Sequence, residues 1–182
     1  LRTIALQVEK PVSFIFFTSV RDLYINVVRA EIAAVLGAEN VIVMEAIPND
    51  DYMAVVEISH LVIDAFHFGG YNTAIDALCV NRIFVTREGD KAYNRFAPAI
   101  LRKLGLPELI ATNESEYIAL VTRLINDDSY YNRMQERVNQ VQLTDDLFEA
   151  DETFYFRKAI KFLLENHEKL QAENSREPVI IE

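Results

Sequence analysis

Short runs of apolar residues alternate along this chain with longer segments in which apolar residues recur every three or four positions. Runs rich in β-branched and aromatic residues predict buried strands, and the three-to-four spacing predicts helices. The predicted strands are VSFIFFTS (12–19), NVIVME (40–45), HLVIDAF (60–66) and NRIFVT (81–86). A helix is predicted after each of them, over 21–37, 49–59, 72–80 and 92–105.

Strands that alternate with helices at this spacing are joined by right-handed crossovers and form a parallel sheet. We therefore predict an α/β fold with a Rossmann-like, doubly wound parallel sheet and helices on both faces. After residue 113 only helices are predicted, over 114–126, 128–141 and 150–170. The predicted organisation is a core over 1–112, C-terminal helices packed on it over 113–172, and a tail over 173–182. The opening LRTIALQVEK reads as the last turns of a helix, and we expect the chain to be part of a longer polypeptide.

The pattern also predicts the burial and the ends of individual strands and helices. The first strand is expected to be buried on both faces, because it is apolar almost throughout. The helix after it is expected to end at Gly37. The helical spacing in it is that of Leu23, Val27, Ala30, Ala34 and Val35. Pro98 is expected to kink its helix or to mark the true start of that helix. Cys79 is expected to be buried within its helix.

Composition and charge exclude several classes of protein. The 182 residues carry a net charge of -10, whereas a nucleic-acid partner would require a basic face. No apolar run approaches the roughly 20 residues that span a bilayer, so no membrane partner is expected. A single cysteine and the lack of a signal peptide indicate the cytoplasm. No HExxH, CxxC or paired-histidine spacing occurs, and we expect no metal and no cofactor.

The segment AFHFGGYNTAID (65–76) is the first candidate site. Gly69 and Gly70 permit a tight turn and close approach of a ligand, and Asn72 or Thr73 is predicted to cap the next helix. Free amides at a positive helix end attract a diphosphate, and Asp76 would accept hydrogen bonds from a ribose. An ordinary cap, with Asp76 complementing the helix dipole, explains the same spacing equally well.

Two neighbouring loops hold further candidates. Tyr52, at the start of the second helix, is placed to flank a base, although a half-buried packing role is the commoner fate of such a tyrosine. A basic cluster follows the fourth strand and would neutralise a second phosphate; it consists of Arg87, Lys91 and Arg95. Solvation of a charged loop is the alternative for each of these cations. His67 would reach a sugar or serve a structural role.

The segments HLVIDAFHFGGYNTAIDAL, RIFVT and NRFAPAILRKLGLPELIATNESEY together resemble the O-GlcNAc transferase family, including bacterial cytoplasmic N-glycosyltransferases. The resemblance covers about residues 11–164. It implies the C-terminal half of a GT-B enzyme, in which two Rossmann-like domains face each other and the C-terminal one binds the nucleotide of a UDP-sugar.

The resemblance also implies roles for individual residues. The diphosphate falls on Asn72 and Thr73, the ribose on Asp76, and the uracil on a turn formed by Ala46, Ile47 and Pro48, with Tyr52 in the place of a ring-stacking histidine. The family often has a basic residue beside that turn, where this chain has Asn49 and Asp50. The family's phosphate-binding lysine lies upstream of this chain, and so does the first strand of the domain. In the usual 3-2-1-4-5-6 order that strand is central, so we expect rearranged pairing or a missing upstream segment.

The implied function is donor binding in an enzyme that transfers a sugar from a UDP-sugar to a protein Ser/Thr or Asn side chain. The implied partners are the UDP-sugar, a protein or peptide acceptor, and the N-terminal half of the same enzyme, which is expected to hold the catalytic residues. Two alternatives remain open: a catalytically silent GT-B-like domain that serves protein contacts, and a UDP-sugar epimerase-like enzyme.

Overall fold

The computed structural model describes residues 1–18, 23–65, 67–147 and 152–173. The chain divides into two compact units, Leu1–Val141 and Gln142–Glu182. The first unit contains all five of the described strands. The second contains helices among its described residues.

Helices and strands alternate through the first unit. Its strands are β1 (Phe14–Phe17), β2 (Val41–Met44), β3 (Val62–Ile63), β4 (Phe84–Arg87) and β5 (Ile110–Ala111). Its helices are α1 (Arg2–Gln7), α2 (Leu23–Leu36), α3 (Asn49–Ile58), α4 (Asn72–Cys79), α5 (Phe96–Lys103), α6 (Glu114–Asn126) and α7 (Asp128–Asn139), with 3-10 turns at Ala38–Asn40, Ala92–Asn94 and Pro107–Leu109. The second unit contains α8 (Leu143–Leu147), α9 (Glu152–Glu165) and α10 (His167–Glu173). Apart from β5, which was not predicted, the predicted order of strands and helices is confirmed from β1 to α7.

All the strand pairs that the structure describes are parallel, as predicted, but they form two ladders. β1 pairs with β2, with Phe14 opposite Val41. β4 lies between β3 and β5, with Phe84 opposite Val62. Among the described residues the ladder is interrupted between β1 and β3. These two ladders are what a 3-2-1-4-5-6 order leaves when its first strand is removed.

The core lies around β4. Three consecutive side chains there, Phe84, Val85 and Thr86, are fully buried. α6 packs against β4 and β5, and α4 and α5 also contact β4. Tyr117 and Leu124 of α6 are buried in this core. A strand covered on both sides is continuously apolar, which explains the sequence IFV at this point.

The prediction that β1 is buried on both faces is wrong. Its residues are half-buried, and Phe17 is 41% exposed. β1 has one ladder neighbour among the described residues, so the enclosed environment that an apolar sequence indicates is incomplete.

The predicted helix α2 is confirmed, but the residues whose spacing indicated it do not form its buried face. Ile25 and Leu36 are buried, and Val28 and Ile32 between them are half-buried. Four of the five residues at the spacing noted in the sequence are exposed: Val27, Ala30, Ala34 and Val35. The side chain of Leu23 lies outside the described set. The helix carries two overlapping apolar stripes, and spacing alone does not indicate which one faces the sheet.

Of the remaining predictions, those for Gly37 and Pro98 are confirmed and that for Cys79 is wrong. Gly37 follows α2 with φ +87°, the left-handed conformation predicted for a helix end. Pro98 lies in the first turn of α5, so it marks the start of that helix as expected. Cys79 is exposed at the last position of α4, and the prediction of burial is wrong because the helix ends there. The predicted helix over 150–170 is divided between α9 and α10. The two-residue strand β5 and the short α8 were not predicted.

Across the described ranges, no helix is both long and apolar enough to cross a membrane. The predicted boundary at residue 112 stays a prediction, and so does the packing of α8, α9 and α10 on the core. Most of the predicted tail lies outside the described residues.

Candidate functional site

The turn after β2 and the first turn of α3 line a cavity of about 310 Å³. Its wall consists of Phe17, Thr18, Glu45, Ala46, Ile47, Asn49 and Tyr52. Three of the predicted site residues, Ala46, Ile47 and Tyr52, are therefore neighbours in space. The ring of Tyr52 meets Phe17 edge to face, with the centroids 4.9 Å apart. The lining combines two aromatic rings and two aliphatic residues with the polar residues Thr18, Glu45 and Asn49, a mixture that suits a planar base with hydrogen-bonding groups.

Pro48 sets the start of α3. Its φ of -53° suits the entry to a helix, and the amide of Tyr52 donates to its carbonyl over 3.0 Å. This bond holds the backbone of Tyr52 in the first turn, beside the cavity. α3 begins at Asn49 directly after Pro48, and its start has no side-chain capping bond.

Tyr52 and Asp76 come together although they follow different strands. The Tyr52 hydroxyl donates to Oδ2 of Asp76 over 3.2 Å. The packing of α3 against α4 makes this contact possible. Burial, the charge of Asp76 and the hydrogen bond to it raise the pKa of Tyr52 to about 12. The tyrosine therefore stays neutral at physiological pH and remains a donor.

The first turn of α4 lacks a side-chain cap. The helix begins at Asn72, and the first helical bond runs from the Ile75 amide to the Tyr71 carbonyl. The prediction that Asn72 or Thr73 is the capping residue is wrong, because Tyr71 occupies that position with helical backbone angles. The amides of Asn72, Thr73 and Ala74 precede the first helical bond and have no partner within the helix. An anionic ligand would satisfy them.

The turn before α4 requires glycine. Gly69 is buried, and a Cβ there would lie 2.7 Å from the Tyr93 carbonyl oxygen. A Cβ at Gly70 would lie 3.0 Å from Cβ of Thr73. The glycines therefore allow the Ala92–Asn94 turn and the start of α4 to approach the same point.

The three residues of the predicted basic cluster have different positions and contacts near this turn. Lys91 is exposed and immediately precedes the turn that touches Gly69. Arg95 donates from Nε to the Gly89 carbonyl over 3.0 Å, and this bond stabilises the loop to which both residues belong. Arg87 is the last residue of β4 and is half-buried. His67 is exposed next to the glycine turn.

Asp64 is a residue of the site that sequence reasoning missed. It follows β3, and its carboxylate accepts bonds from the amides of Ala65 and Gly70 and from the Thr86 hydroxyl. Burial raises the pKa of the Asp64 carboxyl, and these three hydrogen bonds act in the opposite direction. A lone carboxylate at the end of an apolar strand was the available signal.

Another cavity of about 310 Å³ lies beside α6 and α7. Its charged groups already have partners. Glu116 accepts from Thr112, Glu108 pairs with Arg137, and Arg123 lies over the ring of Tyr130. The three charged side chains that line this cavity therefore already have partners. Among the described residues, no cluster of His, Cys, Asp and Glu could hold a metal ion.

Comparison with known proteins gives the family. The sequence profile of glycosyl transferase family 41 matches residues 12–156. The chain belongs to this family. Its α/β, Rossmann-like fold is that of a GT-B glycosyltransferase domain.

Individual relatives of this family 41 chain are distant. The Hordeum vulgare protein named "Probable UDP-N-acetylglucosamine–peptide N-acetylglucosaminyltransferase SPINDLY" is 25% identical over 95 residues, which are 52% of this chain and 10% of that protein. The UDP-glucose:protein N-beta-glucosyltransferase of Actinobacillus pleuropneumoniae serotype 5b is 24% identical over 124 residues, which are 65% of this chain and 20% of that protein. The chain therefore spans a small part of the length of these relatives.

A solved structure supports the fold independently. A mutant of the Thermobaculum terrenum O-GlcNAc transferase superposes with a TM-score of 0.64 at 22% identity, covering 75% of this chain and 27% of that one. At this identity the likeness establishes the fold alone.

The structure of this family 41 member brings most of the predicted site residues into one region. Ala46, Ile47 and Tyr52 line the cavity after β2, Tyr52 contacts Asp76, and the glycine turn leads into Asn72 and Thr73. Lys91 lies on a neighbouring loop. The role of all these residues in binding a nucleotide stays a prediction.

Proposed function

We propose that this chain is the donor-binding part of a glycosyltransferase that transfers a sugar from a UDP-sugar to a side chain of a protein. The observation that carries the proposal is the hydrogen bond from Tyr52 to Asp76, which joins the cavity after β2 to the uncapped start of α4. Relatives whose names include UDP-N-acetylglucosamine–peptide and UDP-glucose:protein transferases support the same reaction class.

The donor would lie across the two strand ends. The base enters the cavity beside Tyr52, the ribose hydroxyls donate to Asp76, and the diphosphate meets the free amides of Asn72 and Thr73. The positive end of α4 stabilises the negative charge that develops on the departing UDP. This half of the enzyme therefore supplies donor binding and stabilisation of the leaving group.

The acceptor, and the residue that activates it, would come from an N-terminal half of the same enzyme. A further parallel strand between β1 and β3 would join the two halves of the sheet. The interruption of the ladder at that point supports this strand, since the first strand of a 3-2-1-4-5-6 sheet lies there. A cytoplasmic location fits the single cysteine, which is free and exposed.

A catalytically silent domain is the second candidate. The pair Asp50 and Asp51 lies in the first turn of α3, near the cavity, where the family often has a positive charge. Two carboxylates there would oppose a second phosphate. They also complement the dipole of α3 itself, which gives them a structural role that is compatible with donor binding.

Calorimetric titration with UDP tests the proposal. Asp76→Ala should weaken binding at least tenfold, about 1.4 kcal/mol, because the ribose loses its acceptor. Asp128→Ala, which removes an exposed carboxylate paired with Lys10, is the matched control and should bind as the wild type does. Titration with ADP in place of UDP tests whether the protein prefers uracil to adenine.

The titration is repeated on a longer polypeptide that includes the upstream segment. If neither protein binds UDP, the silent domain is the better description. Equal affinity for the wild type and Asp76→Ala would also refute the proposed site.

A further inference from the structure

One carboxylate holds together the strand ends beneath the glycine turn. Oδ1 of Asp64 accepts from the Gly70 amide over 2.8 Å and from the Ala65 amide over 2.9 Å. Oδ2 accepts from the Thr86 hydroxyl over 2.7 Å. The Tyr117 hydroxyl donates to the Asp64 main-chain carbonyl over 2.8 Å. β3, β4, α6 and the turn before α4 therefore meet at this residue.

We propose that Asp64 is a positioning residue, which holds the Gly69–Gly70 turn in the shape that presents the first amides of α4 to the donor diphosphate. The inference rests on the proposed function and names a residue that this function alone does not assign.

The partners of Asp64 make it an anchor between a rigid element and a flexible one. Thr86 lies on β4 and is fully buried, so its hydroxyl is a fixed point. Gly70 belongs to a pair of glycines, whose backbone has the greatest freedom of any residue. A charge-assisted bond from a fixed carboxylate to the Gly70 amide removes that freedom at the entry to α4.

The same bonds give Asp64 a role that requires no contact with the donor. Both carboxylate oxygens already accept bonds, and the Gly70 amide is engaged. The amides of Asn72, Thr73 and Ala74 follow after Tyr71, at the start of α4, and they remain for the ligand. Asp64 also carries a negative charge near the expected diphosphate, and its three donors offset that charge.

Variants of Asp64 separate geometry from charge. Asp64→Asn keeps an oxygen for the two amides, and its NH₂ group can donate to the Thr86 hydroxyl. Asp64→Ala removes all three bonds. Thr86→Val removes only the anchor on β4. Asn113→Ala is the control for a loss of stability alone, since it deletes the side-chain cap of α6 without touching the turn.

Two measurements follow for each variant: hydrogen exchange of the Gly70 amide without nucleotide, and the UDP dissociation constant. In Asp64→Ala we expect exchange and dissociation constant each to rise about tenfold or more. Asp64→Asn should stay within about threefold of the wild type, and Thr86→Val should fall between the two. Asn113→Ala should leave the UDP dissociation constant unchanged.

The proposal is overturned if Asp64→Ala binds UDP as the wild type does, if Asp64→Asn is as impaired as Asp64→Ala, or if Asn113→Ala impairs binding equally. Should Asp64→Ala not fold, Thr86→Val decides in the same way. Hydrogen exchange needs no nucleotide, so it tests whether Asp64 fixes the Gly69–Gly70 turn even if the wild type binds no UDP. A wild type that binds no UDP would count against the proposed function and not against the role of Asp64.

Discussion

The substitution Gly69→Ala tests the close packing of the glycine turn against the Ala92–Asn94 turn. An added Cβ would lie 2.7 Å from the Tyr93 carbonyl oxygen and 3.3 Å from Oδ2 of Asp64. The first contact is with backbone, so a change of side-chain rotamer cannot relieve it. Either the Ala92–Asn94 turn or the glycine turn must move by roughly half an ångström or more to restore an ordinary contact.

The expected cost follows from this overlap. Forcing an extra carbon into a packed site typically costs about 1–3 kcal/mol. For a chain of this size each kcal/mol corresponds to about 2–4 °C in Tm. Movement of the turn also displaces the start of α4, so we expect UDP to bind about tenfold more weakly.

Gly105→Ala is the matched control. Gly105 has a φ of +69°, and a Cβ there would meet nothing within 4 Å. Its cost is one of backbone conformation, about 1–2 kcal/mol, at a position remote from the site. Urea unfolding and UDP calorimetry should therefore show two destabilised proteins, only one of which loses affinity. A Gly69→Ala protein with wild-type Tm and wild-type affinity would refute the close packing of the turn.

Two further results are expected. Because the folded pKa of Tyr52, about 12, lies above its ordinary value of 10.0, the neutral tyrosine adds stability that is present below pH 10.0 and lost as the pH rises to about 12. Ultraviolet titration of tyrosinate, with Tyr52→Phe to assign the signal, should show that Asp76→Asn lowers this pKa; an unchanged value would exclude the contact. Phe84→Ala should cost about 3–5 kcal/mol by urea unfolding, because the ring is fully buried on β4. Phe68→Ala, at a ring that is 71% exposed, should cost less than about 0.5 kcal/mol, and equal losses would contradict the assignment of the core.

The fold could be predicted where the local pattern is strong. The apolar run of β4 and the helical spacing of α6 each indicate one structure, and their parallel arrangement follows from the alternation of strand and helix. β5 escaped prediction because two residues, Ile110 and Ala111, are too short to show a pattern. The face of α2 escaped because its orientation is decided by what packs on it. Local sequence specifies whether a segment forms a helix or a strand, and tertiary contacts specify which of its faces is buried.

The same division applies to the candidate site. Gly69, Asp76 and Tyr52 could be singled out, because turn residues and side chains after a strand carry local signals. The contact between Tyr52 and Asp76 could not be derived, since it depends on the packing of α3 against α4. Asp64 was missed because its bond partners, Gly70 and Thr86, lie six and 22 residues away along the chain.

The two halves of the candidate site lie on different ladders. The base cavity follows β2, which pairs only with β1 among the described residues, and the start of α4 follows β3, which pairs with β4. Their described connection at the site is the packing of α3 on α4 and the Tyr52–Asp76 hydrogen bond. A nucleotide that spans both halves would therefore add a second link between the ladders, and binding and stability should be coupled in this chain. Asp64 strengthens only the β3–β4 side, which is why its loss should loosen the diphosphate end of the site and leave the base cavity intact.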